Sequence, residues 1–236
     1  MLNLRSLCVL FFSFLLYVDA FADETPTPKL RFRSPASFVE ISADSELFHE
    51  NAQHAVRHGK LLKLYLPRDA AMLIELGRKD AVTRQVLVCG LEEGHPFPTD
   101  PKTADLLARS MEGFFNGFTK LPRLSSSPSA DEKKNRDTIL KKAMSTGTPV
   151  LAESVRTASA YLHTCIIHFS LSADASAGYL SMALGMAAVP VGNTVLFVTA
   201  SSIIDTEDPN AHLLWAKDTA SSFADTIDSA NRQEKK

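Results

Sequence analysis

The stretch Gly178 to Val198, GYLSMALGMAAVPVGNTVLFV, limits the fold more than any other part of the chain. It is apolar at nearly every position. Read with a period of two, Leu180, Met182, Leu184 and Met186 share one face of a strand, and Ala183, Gly185 and Ala187 share the other. Ala, Leu and Met also favour helix, but Gly178, Gly185 and Pro190 disfavour a long one. The stretch therefore predicts two strands, separated by Pro190-Val191-Gly192-Asn193. A strand that is apolar on both faces is covered on both faces. Its small-residue face leaves room for a helix to come close.

The cover for that face follows in the sequence. Asp208-Pro209 is a cap followed by proline at the first helical position. Ala216, Ala220, Phe223, Ile227 and Ala230 then recur every three or four residues, predicting a helix to about Ala230 with Trp215 beside its apolar stripe.

Upstream, the pattern predicts short strands at Leu30–Arg33 and Ser37–Ser42, and a helix capped by Asp44 or Ser45 and running to about Arg57. A strand at Leu61–Leu66, a short helix at Asp69–Leu76 and a two-faced strand at Arg84–Leu91 come next. A helix from Thr103 to Phe118 carries Leu106, Leu107, Met111, Phe114, Phe115 and Phe118 at helical spacing. Leu121–Ala130 is rich in Ser and Pro and reads as a loop within one domain, with a flexible insertion near 121–136. The charged segment Asp131–Met144 has a modest apolar side suited to a helix. Pro149–Val155 and Ala160–Leu171 complete the strands. These elements imply an α+β fold: a single-domain α/β/α sandwich, its mainly antiparallel sheet covered by helices on both faces.

The first 22 residues read as a signal peptide. Arg5 gives a positive start, Leu7–Val18 is apolar but for Ser13, and Ala20-Phe21-Ala22 offers small residues for cleavage after Ala22. The apolar run is shorter than the roughly 20 residues that cross a bilayer. Residues 23–236 then form one exported, soluble domain, periplasmic or secreted, with no membrane span. A net charge of −2 excludes the basic field of a nucleic-acid binder. Cys89 and Cys165, both in apolar strands, are two buried thiols or one bridge that export would permit.

Three groupings bear on chemistry. Glu50, His54 and His58, four apart, line one helix face and could hold a divalent metal. They lack the glutamate that follows the first histidine in zinc-hydrolase helices, and they lie opposite the Phe48, Ala52, Ala55 stripe, on the solvated face. His163 and Cys165 share a strand face among Tyr161, Ile167 and Phe169, which reads as core. Glu92, Glu93, His95 and Asp100 fall in one Pro-rich loop and could bind calcium or line an acid-base site, but their spacing matches no EF-hand and a solvated loop is the plainer reading. The basic residues Lys133, Lys134, Arg136, Lys141 and Lys142 alternate with acids and read as a solvated helix face. No catalytic residue, no cofactor site and no metal ligand is assigned.

The order of elements, with SPASFVEIS near the start, LLKLYLP, the hairpin VPVGNTVLFVTAS and a final helix ending DSAN, resembles the PsbP-like α/β/α sandwich family. The resemblance covers most of residues 23–236 and matches no functional motif. Members of that family mostly act as binding or assembly accessories. The resemblance therefore implies a non-catalytic accessory of the cell envelope or extracellular space, taking a protein partner or small ligand. The alternative is a metal-dependent hydrolase built on the His/Glu cluster.

Overall fold

Period-two strands and one long amphipathic helix assemble around a single sheet. The structure, a computed structural model, describes residues 30–54, 59–78, 82–91, 113, 115–122, 129–170, 179–191, 194–205 and 208–232. In chain order the elements are β1 (Phe38–Glu40), α1 (Glu46–His54), β2 (Gly59–Pro67), α2 (Arg68–Glu75), β3 (Arg84–Leu91), a 3-10 turn (Phe115–Gly117), β4 (Thr119–Lys120), α3 (Ala130–Thr146), β5 (Val150–Arg156), β6 (Tyr161–Ser170), β7 (Tyr179–Val191), β8 (Thr194–Ile203) and α4 (Pro209–Arg232). The sheet runs β1-β2-β3-β8-β7-β6-β5-β4. Its neighbours are antiparallel except β4 and β5, which are parallel. The chain is thus α+β, with an eight-stranded, mostly antiparallel sheet.

Besides the short β4, which the sequence does not announce, the structure departs from the sequence expectations at four places. Residues 30–33 form no strand. Asn231 of α4 instead accepts from the Arg31 N–H at 3.1 Å and donates to the Arg31 carbonyl at 2.9 Å, doing a strand partner's work with one side chain. β7 continues through Pro190 to Val191, which pairs with Thr194. Pro190 lies beyond the last β6 pair, Tyr161↔Ala188, where one side of β7 has no strand neighbour and a missing N–H is tolerated. Of the helix expected over Thr103–Phe118, residues 103–112 and 114 lie outside the described residues, and Phe115–Gly117 is a 3-10 turn. Arg136 leaves the solvated face: it is 5% exposed. Its guanidinium donates to Asn210 Oδ1 at 2.8 Å and to the Pro122 carbonyl at 2.9 Å, so its buried donors are met. Lys133, Lys134, Lys141 and Lys142 are exposed as expected.

The segment 121–136 is divided. Leu121 and Pro122 follow β4, residues 123–128 lie outside the described residues, and 130–136 begin α3. Ser129 caps that helix by accepting from the Glu132 N–H while the Glu132 carboxylate accepts from the Ser129 N–H. Gly147 ends it in the left-handed region, φ 67°. Ser45 is the cap of α1, accepting from the Phe48 N–H at 3.1 Å. Asp208 caps α4, accepting from the Asn210 N–H at 3.0 Å.

Alternate strand residues go to different clusters. Val86, Val88, Ala187, Val198 and Ala200 pack with Phe223 and Ile227 of α4. Their neighbours Leu87, Cys89, Ala188 and Phe197 pack with Phe48 of α1. Phe223 is fully buried, with the Phe38 ring edge-on at 4.9 Å and Tyr65 at 5.0 Å. Burying such a ring stabilises by about 2–3 kcal/mol. Cys89 and Cys165 are buried in separate clusters and are not bridged to each other, which removes the bridge alternative.

At Gly185 the helix touches the sheet backbone to backbone. A Cβ placed there would stand 2.1 Å from the Ala216 carbonyl oxygen and 2.5 Å from its carbon. Neither atom can turn aside as a side chain would. Gly185→Ala should therefore cost on the order of 3 kcal/mol, read as a lower urea midpoint; an unmoved midpoint would show that α4 does not press on β7. Arg136→Ala should cost about 2 kcal/mol by stranding Asn210 and the Pro122 carbonyl, whereas Lys134→Ala should stay within about 0.5 kcal/mol. Equal losses in the two variants would refute the buried role of Arg136.

Candidate functional site

Arg84 opens β3 and lies opposite Ser202 of β8 in register. Two positions on, Val86 packs with α4, so Arg84 points to the same side. There its guanidinium sits over the Trp215 ring, 4.9 Å from the centroid. Its Nε donates to Ser202 Oγ at 3.3 Å. Its two Nη groups donate to no described residue, and no described carboxylate stands within ion-pair distance of it.

The contact continues into α4. Asp208 and Pro209 start the helix so that His212 falls in its first turn, buried over the end of β8. Ser202 Oγ lies 2.9 Å from His212 Nδ1, and His212 Nε2 lies 3.6 Å from Asp205 Oδ1. Donor logic orders this chain. An arginine N–H only donates, so Ser202 Oγ accepts there; its hydroxyl donates to Nδ1 in the tautomer that carries the ring proton on Nε2, and accepts from Nδ1 in the other. Burial lowers the His212 pKa first of all; Asp205 raises it, Arg84 lowers it, and Asp208 raises it less. The net direction is downward, which keeps the ring neutral at pH 7.

Beside this chain lies a cleft of about 260 Å³. Asp69 and Leu73 of α2, Thr83, Arg84, Asp205 and His212 are among its walls. The Ser202-His212-Asp205 order superficially matches a hydrolase triad, but Ser202 is 0% exposed and its oxygen already accepts from Arg84. A nucleophile needs an open oxygen with a base beside it. The cleft can instead hold and orient a ligand, with Arg84 as its cationic contact.

The residues singled out from sequence are placed as follows. His58, Glu92, Glu93, His95 and Asp100 lie outside the described residues, as does the side chain of His54. Among the described residues no group of three or more His, Cys, Asp or Glu could hold a metal ion. His163 and Cys165 are core, as their pattern predicts. The His163 ring stacks on Phe115 at 4.9 Å, and its Nδ1 lies 2.8 Å from Ser154 Oγ. Burial lowers the His163 pKa to about 4 and pushes the Cys165 thiol up, so both stay neutral and form no thiolate-imidazolium pair. Arg84, Ser202, Asp205 and His212 had no signal in the sequence, because only the β3–β8 register joins them. Among the described residues no helix is long and apolar enough to cross a membrane. No protein-family model matches this sequence, and no curated protein matches it.

His163 also sets a pH dependence. Between pH 6.5 and about 4 the unfolded chain takes up a proton that folded His163 refuses, so stability falls as pH drops through that window and levels off below it. The contribution is ~3 kcal/mol. Burial of His168 and His212 acts in the same direction. His163→Leu should flatten this part of the slope in urea titrations between pH 7 and 4; a slope identical to the parent chain would place the protonation elsewhere.

Proposed function

We propose that this chain is an exported, non-catalytic accessory protein of the cell envelope or extracellular space, with a PsbP-like α/β/α sandwich fold, that binds a small ligand in the Arg84–His212 cleft. The observation that carries the reading is Arg84: a guanidinium held by Trp215 and Ser202 at a cleft, with no described carboxylate paired to it. A half-buried guanidinium paired with no described carboxylate is suited to hold an anionic group of a ligand. Ser202, His163 and Cys165, which could carry nucleophilic chemistry, are all sealed in packed surroundings. The apolar segment before Ala22 and the family resemblance support export and an accessory role.

The test is a ¹H–¹⁵N spectrum of the full chain titrated with a small-molecule extract of the producing cells. Shifts concentrated at Thr83, Arg84, Asp205 and His212, with no ligand consumed, are expected. Shifts scattered elsewhere, or turnover of a component, would overturn the reading.

A further inference from the structure

The charges that face the cleft are unequal. Arg84 supplies one cation, Asp69 and Asp205 supply two carboxylates, and His212 lies between them. The guanidinium lies over the Trp215 ring with its Nε on Ser202, and its Nη edge donates to no described residue. Such an edge matches a carboxylate through two parallel N–H···O bonds. The two aspartates oppose a second negative charge on the ligand and favour a cation beside the first. Both conditions are met by one ligand build.

We infer that the cleft takes a small zwitterion of the amino-acid type, its carboxylate on Arg84 and its ammonium on Asp205 and Asp69. The inference rests on the cleft being a ligand site, as proposed above, and names the ligand class. Size agrees with it. About 260 Å³ lies below the roughly 300–1,000 Å³ of sites for drug-sized ligands. Ala70 and Leu73 offer an apolar wall for a side chain. The two carboxylates are not equivalent. Asp69 Oδ1 already accepts from the Ala70 N–H at 3.0 Å, while the Asp205 side chain is 55% exposed and, among the described residues, makes only the long contact to His212. Asp205 is the freer partner for an ammonium group. A phosphate dianion fits worse, because it would meet two like charges for one opposite charge.

The test is calorimetric titration of the full chain with each of the twenty common L-amino acids, alongside propionate and inorganic phosphate. At least one amino acid should bind, with propionate at least tenfold weaker and phosphate weaker still. Arg84→Gln should abolish binding. Because that variant also loses the Trp215 contact, Asp205→Asn at an exposed position is the second variant: it should weaken the amino acid at least tenfold and leave propionate no weaker. Phosphate or propionate binding as tightly as every amino acid would overturn the inference, as would amino-acid binding that ignores Asp205→Asn. If no amino acid binds while the cell extract still shifts Arg84 and His212, the ligand class falls and the binding reading stands. If neither has an effect, both fall.

Discussion

The contact between Gly185 and the Ala216 carbonyl fixes everything above the sheet. Two backbones meet there with no side chain between them, so α4 has one depth and almost no freedom to slide. That depth sets Phe223 between Phe38 and Tyr65, and it sets Trp215 at the height where the Arg84 guanidinium can lie on its ring. One turn earlier, the same helix lowers His212 onto Ser202. The cleft is therefore a by-product of how closely a helix can approach a strand of small residues.

Within that frame the polar groups are spent on orientation. Arg84, Ser202 and His212 are joined by hydrogen bonds through the Ser202 hydroxyl, and Asp205 stands 3.6 Å beyond the far ring nitrogen. Arg136 plays a similar part on the other side of α4, tying the start of that helix through Asn210 to the residues just after β4. In both places an arginine joins segments far apart in the chain. Both leave charged nitrogen close to the first turn of α4, but only Arg84 does so without satisfying its Nη groups on described residues.

Much of the fold could be read before it was seen, wherever the signal was periodic. Two-residue alternation located β2, β3 and β5 to β8, and the small-residue face of β7 foretold the close helix. Asp208-Pro209 marked the start of α4. The failures have a common cause, which is partnership over long sequence distance. Leu30–Arg33 looked like a strand because its missing hydrogen bonds are supplied by Asn231, 200 positions away. Arg136 looked solvated because its partner Asn210 lies 74 positions on. β4 is two residues long and too short to carry any pattern. The cleft was illegible for the same reason, since Arg84 and Ser202 are 118 positions apart and meet only through strand register.

The strand order carries a consequence for how the chain is made. β3 has β2 on one side and β8 on the other, and β8 is the last strand to be synthesised. Until it arrives, the strands of the first half present an open edge that only the end of the chain can close. Folding must wait for contacts of high sequence separation, which are slow to form and prone to mispairing in the interval. A sheet that cannot close on a partial chain stays threadable.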